Sequence, residues 1–160
     1  RFCWWNVVTD VLHDSLTLCN WVWPMAASPV KSRGYRGDLD MEAKFYKAVT
    51  GIDATTEDLY HAAARIMTLQ RANTMRGMGT NDLRREHDIL CSWVYDADPD
   101  MEPFTEGTTK MERNDFQTAL GMVYQEFKWD EEKGCPTAAS LDYYDMPDVK
   151  AELQSLGLVD

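Results

Sequence analysis

Apolar residues recur along most of this chain at helical rather than strand spacing. Phe2, Trp5, Val8 and Leu12 fall three or four apart and predict a buried helix from Phe2 to about His13. Leu16, Leu18 and Cys19 follow as a helix end or turn. Pro24, Pro29 and the run Ser32-Arg33-Gly34-Tyr35-Arg36-Gly37 then break the period and predict a loop. Met41 to Val49 reads as a second helix, closed by Gly51 in the left-handed conformation. Thr55 and Thr56 ahead of Glu57 and Asp58 offer a hydroxyl cap and first-turn carboxylates, which the positive end of a helix favours. From there Leu59, Ala62, Ala63, Ile66, Leu69, Asn73 and Arg76 mark one face of a long helix that ends at Gly77 or Gly79.

The second half continues in the same manner. Thr80 or Asn81 caps a helix to about Trp93, and Asp96 to Gly107 reads as a loop. A helix from Glu112 to Phe127 carries Phe116, Leu120, Val123 and Phe127 on one side. Thr137 caps a short helix to Tyr144. Pro147 sits where the first residue of a helix tolerates it, and the last helix packs Val149, Leu153 and Leu156 before stopping at Gly157. There is no strand-like run and no repeat. The expected fold class is all-α, a compact bundle of six or seven helices, with residues 1–37 ending one helical region and 38–160 forming the next.

Composition narrows the partners. Residues 1–37 hold four basic and two acidic side chains, whereas the rest hold 12 basic and 25 acidic ones, giving a net charge of −11 overall. Such a surface repels a phosphate backbone and argues against nucleic acid. Asp10, His13 and Asp14 interrupt the apolar start, so no uncharged run reaches the roughly 20 residues of a spanning helix, and membrane insertion is not expected. The chain opens on Arg1, and four of its six tryptophans (Trp4, Trp5, Trp21, Trp23) lie in the first 23 residues. That start reads as a cut through something buried.

Four cysteines (Cys3, Cys19, Cys91, Cys135) lie 16, 72 and 44 residues apart, with no CxxC pair among them. This spacing supports neither a self-contained zinc or cluster site nor a disulfide scaffold, and reduced thiols in the cytoplasm are the expectation. Asp96-x-Asp98-x-Asp100 begins like a calcium loop, but Met101 and Gly107 stand where glycine and glutamate are needed, so an acidic surface loop is the better account. His13, His61 and His87 are scattered and form no nucleophilic or metal pattern. The densest cluster is His13-Asp14-Ser15-Leu16-Thr17-Leu18-Cys19. A carboxylate beside the free carbonyls of a helix end suits a heterocycle rich in N–H donors, and a thiolate nearby suits a metal or cluster. The plainer alternative is a surface aspartate and a core thiol.

Asp14-Ser-Leu-Thr17-Leu18-Cys19 resembles the second DxxGLC element of the aldehyde:ferredoxin oxidoreductase family. Phe45-Tyr46-Lys47-Ala48-Val49-Thr50-Gly51-Ile52-Asp53 with Thr56-Glu57-Asp58-Leu59 is similar to the family's A-x-TG-x-D-x-T-x-E-E-L. The run from Ala64 to Gly77 resembles ERI-x-x-LER-x-x-NVREG. Met122-Val123-Tyr124, Trp129-Asp130-Glu131 and Gly134-Cys135-Pro136-Thr137 resemble D-x-YY-x-x-RGWD-x-x-G-x-PT, and Leu156-Gly157-Leu158 completes the series. Four motifs in the family's order span nearly the whole chain.

The resemblance implies the C-terminal helical part of a larger multidomain oxidoreductase, inactive alone. Such enzymes oxidise aldehydes, or run related two-electron reactions, at a tungsten or molybdenum bis-pterin centre, and pass electrons through a [4Fe-4S] cluster to ferredoxin or a ferredoxin-like subunit. By resemblance Asp14 hydrogen-bonds a pterin, the Leu18 backbone contacts the same pterin, and Cys19 is the last of four cluster ligands. The other three ligands belong to a CxxCxxxC motif that these 160 residues lack, as they lack the N-terminal β domain and the first DxxGL element. The implied partners are therefore the remaining domains of the same enzyme, with no cofactor held by this stretch alone. Thr17 replaces the motif glycine, which puts a positive φ or a close backbone approach there in question. Leu69, Asn73 and Arg76 are expected to pack and to terminate their helix rather than to catalyse, and Arg65 and Arg71 to pair with nearby carboxylates. The competing reading is a free-standing helical interaction module that docks through Trp4, Trp5, Trp21 and Trp23.

Overall fold

The structure, a computed structural model, describes residues 1–21, 31–95 and 111–160. Trp23, Pro24 and Pro29, and the acidic stretch from Asp96 to Gly107, lie outside the described residues. Seven α-helices are described: α1 (Phe2–Ser15), α2 (Met41–Thr50), α3 (Thr56–Met78), α4 (Leu83–Glu86), α5 (Arg113–Glu126), α6 (Ala138–Tyr143) and α7 (Pro147–Ser155). Two 3-10 turns, Lys31–Arg33 and Ser92–Val94, join them, and no strand element occurs among the described residues. The all-α class is as the periodicity predicts.

Contacts divide the chain into two compact units, Phe2–Leu69 and Gln70–Asp160 with Arg1. The first holds α1, α2 and the opening turns of α3. Its core is Val8 and Leu12 from α1, Ala43 from α2, and Leu59, Ala63 and Ala64 from α3. The Trp4 ring meets Tyr60 edge-on, and Trp5 Nε1 donates to the Tyr60 hydroxyl at 3.0 Å. The expected burial of α1 holds only for its second half, because Phe2 stays 75% exposed. Helical spacing marks a face but does not say how far along it the neighbours reach.

Local signals set the helix limits. Gly51 ends α2 at φ 75°, its N–H donating to the Lys47 carbonyl. Thr55 and Asp58 close a reciprocal cap at the start of α3: the Asp58 N–H donates to Thr55 Oγ1 at 3.1 Å, and the Thr55 N–H to Asp58 Oδ2 at 2.9 Å. The hydroxyl and N–H of Thr55 outweigh the small opposing effect of desolvation and hold the Asp58 carboxyl below its ordinary value. Gly79 stops α3 at φ 67°.

The buried stripe of α3 differs from the predicted one. Leu59 and Ala63 are buried, but Thr68, Arg71, Ala72 and Met75 complete the face, while Ala62, Leu69, Asn73 and Arg76 lie outside it. Leu69 and Asn73 are thus surface residues rather than packing ones, and Arg76 pairs with Glu152 at 2.9 Å. The stripe escapes an apolar count because Thr68 and Arg71 are polar. Thr68 can be buried because its hydroxyl donates to the Ala64 carbonyl, and Arg71 because a carboxylate meets it.

In the second unit Leu83, Tyr124, Phe127, Trp129, Leu141, Tyr144, Met146 and Leu153 form the core. The helix expected from Thr80 or Asn81 to Trp93 is only α4, capped by Asp82, whose side chain accepts from the Arg85 N–H. The chain turns out of the helix at His87 and Asp88, which frees the Asp88 carboxylate to meet Arg71. Thr137 caps α6 in a box with Ser140, and Pro147 opens α7, as the sequence suggests. Leu153 is buried, Val149 is half-buried, but Leu156 is 52% exposed and does not pack as expected.

Candidate functional site

The end of α1 carries the Asp14–Cys19 element, and its geometry follows from how the helix stops. The Leu18 N–H donates to the His13 carbonyl at 2.8 Å and the Thr17 N–H to the Asp14 carbonyl at 3.3 Å. This pair of bonds is a Schellman motif, which needs its middle residue in the left-handed region. Thr17 adopts that conformation, at φ 58°, although its β-branched side chain disfavours it. Threonine in the place of the motif glycine thus takes the left-handed conformation and bears its strain.

The turn separates the three sequence-predicted residues by exposure. Asp14 and Cys19 are exposed and Leu18 is half-buried. Asp14 sits in the last turn of α1, where the negative end of the helix disfavours a carboxylate. Its position therefore does nothing for the helix. Among the described residues neither the Asp14 carboxylate nor the Cys19 thiol has a side-chain partner.

Sequence reading missed the support beneath this turn. His13 is buried, at 2% exposure, and its ring spans two partners: Nδ1 meets Asn20 Oδ1, and Nε2 lies 3.1 Å from Glu42 Oε1. Glu42, also buried, occupies the second position of α2, where the helix dipole favours a carboxylate. Nothing in a single sequence names Glu42 as the partner of a residue 29 positions earlier.

A metal–pterin centre and a cluster can be tested against this donor set. One exposed thiol and one exposed carboxylate fit a single ligand and a single hydrogen-bond acceptor at the rim of a larger cofactor site. Among the described residues no group of three or more His, Cys, Asp or Glu side chains is placed to hold a metal ion. The residues fit a share of such a site, not the whole.

The other motif positions build structure. Arg71 donates from Nε to the Gly134 carbonyl at 2.8 Å and from both terminal nitrogens to Asp88, so the expected carboxylate partner of Arg71 is Asp88. Its guanidinium lies 5.7 Å from the Tyr124 ring centroid and 5.2 Å from that of Trp129. Tyr124 donates its hydroxyl to the same Asp88. Motif residues on α3, on α5 and after α5 thus meet in one buried knot.

No helix among the described residues is long and apolar enough to cross a membrane. No solved structure matches the chain. The family model described as aldehyde ferredoxin oxidoreductase, domains 2 and 3, matches residues 1–146, nearly all of the sequence. With the ordered motifs and the all-helical fold, that match establishes that the chain belongs to the aldehyde ferredoxin oxidoreductase family, in the part formed by its domains 2 and 3.

Proposed function

We propose that these residues complete the cofactor site of an oxidoreductase that oxidises aldehydes, or related two-electron substrates. The turn after α1 is the part that contributes directly. The Asp14 carboxylate accepts hydrogen bonds from the N–H edge of a pterin, the Leu18 backbone contacts the same pterin, and Cys19 supplies one thiolate to a [4Fe-4S] cluster. When bound, a tungsten or molybdenum bis-pterin supplies the two-electron chemistry and the cluster carries electrons on to ferredoxin or a ferredoxin-like subunit. The remaining ligands come from other domains of the same enzyme. Free thiols at Cys3, Cys19, Cys91 and Cys135 suit a reducing cytoplasm.

The observation that carries this reading is the coincidence, on one helix-terminating turn, of an exposed thiol and a carboxylate without a side-chain partner among the described residues, in a chain of this family. Asp14 is electrostatically misplaced for helix stability, which supports a role toward a ligand. The alternative, a helical interaction module, draws on Phe2 and on Trp21, which is 87% exposed.

The test uses the enzyme that contains these residues, purified with its cofactors. Cys19→Ser is expected to lower iron content and abolish the normal cluster signal in electron paramagnetic resonance, while Cys3→Ser leaves both intact. Full iron and an unchanged signal in Cys19→Ser would overturn the ligand assignment. Asp14→Asn is expected to weaken pterin retention without loss of iron.

A further inference from the structure

We propose that His13, held by Glu42, is the positioning residue that fixes the chain on both sides of Cys19. His13 acts through two groups. Its carbonyl takes the Leu18 N–H at 2.8 Å, and its ring meets the Asn20 side chain. Leu18 and Asn20 flank Cys19, so both neighbours of the thiol are tied to one residue. Glu42 meets the ring's other nitrogen at 3.1 Å and is anchored in the first turn of α2, a rigid element of the same unit.

The arrangement costs more than a core needs. An apolar residue at position 13 would continue the face of Val8 and Leu12 without burying an imidazole and a carboxylate. Hydrogen bonds among buried polar groups favour one arrangement of the segments they tie. Here they tie the segment that presents the exposed thiol, whose left-handed Thr17 makes the turn intrinsically strained. A strained turn persists only when its surroundings over-determine it, and the Glu42–His13–Asn20 series supplies that determination. A ligand that must meet a cluster within a few tenths of an ångström needs such support.

The link to a cluster rests on the reading of Cys19 as its ligand; the clamp itself is measurable without metal. Hydrogen exchange at the Leu18 amide, which donates to the His13 carbonyl, in the metal-free 160-residue chain is the readout. His13→Ala is expected to accelerate exchange there by about tenfold or more, with the amide of Leu141 unchanged. His13→Gln, which keeps a side-chain amide in reach, is expected to restore part of the protection. Glu42→Ala should act through the same residue, so the double variant His13→Ala/Glu42→Ala should be no worse than His13→Ala alone.

Asn20 is exposed, so Asn20→Ala leaves the core intact and serves where His13→Ala fails to fold. It is expected to accelerate exchange at the Leu18 amide and, in the cofactor-loaded enzyme, to shift the midpoint potential of the cluster. Unchanged exchange at the Leu18 amide in Asn20→Ala, or equal acceleration at every amide in His13→Ala, would overturn the clamp. A Cys19→Ser enzyme that keeps its iron would instead remove only the ligand reading and leave the clamp standing.

Discussion

The guanidinium of Arg71 grips the carboxylate of Asp88 at two points, and both side chains are almost entirely shielded from water. Burial raises the cost of charging Asp88 more than any other single influence. The hydrogen bonds from Arg71, His87 and Tyr124 together outweigh it and hold the carboxyl below its ordinary value. The same partnership keeps Arg71 above its own, again against burial. The pair fixes α3 to the turn after α4, and through Gly134 to the segment after α5. Asp88→Asn leaves a buried guanidinium without its counter-charge, and we expect a loss of about 3–5 kcal/mol in urea denaturation.

That pair also predicts a pH dependence. A carboxyl whose folded value is lowered binds its proton less readily when folded than when unfolded. Its stabilisation is complete above the ordinary value of 3.8 and disappears as pH falls through the lower folded value. Stability measured between neutral pH and pH 4 should therefore differ little through this group, and should fall below about pH 4. Asp88→Asn should flatten that acid limb. An acid limb as steep in the variant as in the parent would show that other carboxylates cause it.

Tyr124 shows the opposite sign. Burial and the neighbouring Asp88 carboxylate push its phenol well above the ordinary 10.0. Stability from the neutral phenol is full below that ordinary value and is lost only as pH rises through the higher folded one. In an ultraviolet titration of the folded chain, Tyr124 should remain protonated after the exposed tyrosines ionise. Tyr124→Phe should reduce the lagging component by one tyrosine.

Gly134 is confined by the same knot. It holds φ 65°, and a Cβ built on it would lie 2.7 Å from Tyr124 Cζ and 3.0 Å from Arg71 Nη2. Neither neighbour can retreat, since Tyr124 is 2% exposed and Arg71 is held by Asp88 and the Gly134 carbonyl. Gly134→Ala therefore combines a left-handed penalty with overpacking, for an expected loss of about 2–4 kcal/mol. Gly51, with the same sign of φ but open space around it, should tolerate alanine better. Comparing the two by thermal denaturation separates the steric cost from the backbone cost.

These residues also mark how far sequence reaches. The caps were legible because they are local: Thr55 with Asp58, Gly51, Thr137 and Pro147 act within a turn of where they stand. The inner face of α3 was only half legible. Arg71 belongs in the core because distant groups meet it there: Asp88, 17 residues on, which turns out of a helix, and the Gly134 carbonyl. In the same way His13 looked like a scattered histidine, since its partner Glu42 sits on another helix. The Asp14–Cys19 turn was read through family resemblance, whereas the side chains beneath it required the fold.

Thr17 provides the last test, because its conformation is fixed by the turn and its identity is not. Among the described residues four helices end in the same two-bond pattern, with Thr17, Lys128, Asp145 or Gly157 as the left-handed residue. Only Thr17 is β-branched, the type for which this region is most costly. Lys128 likewise stands just before Trp129, where the family pattern has glycine. Thr17→Gly should raise stability by about 1–2 kcal/mol, and Lys128→Gly by about 1 kcal/mol. Both are read from the urea midpoint. If Thr17→Gly instead lowered stability, the hydroxyl or methyl of Thr17 would be making a contact worth more than the strain. If it raised stability but impaired cofactor retention in the loaded enzyme, the threonine would be a feature of this chain's own pocket rather than a tolerated substitution. That difference bears directly on the turn that presents Cys19.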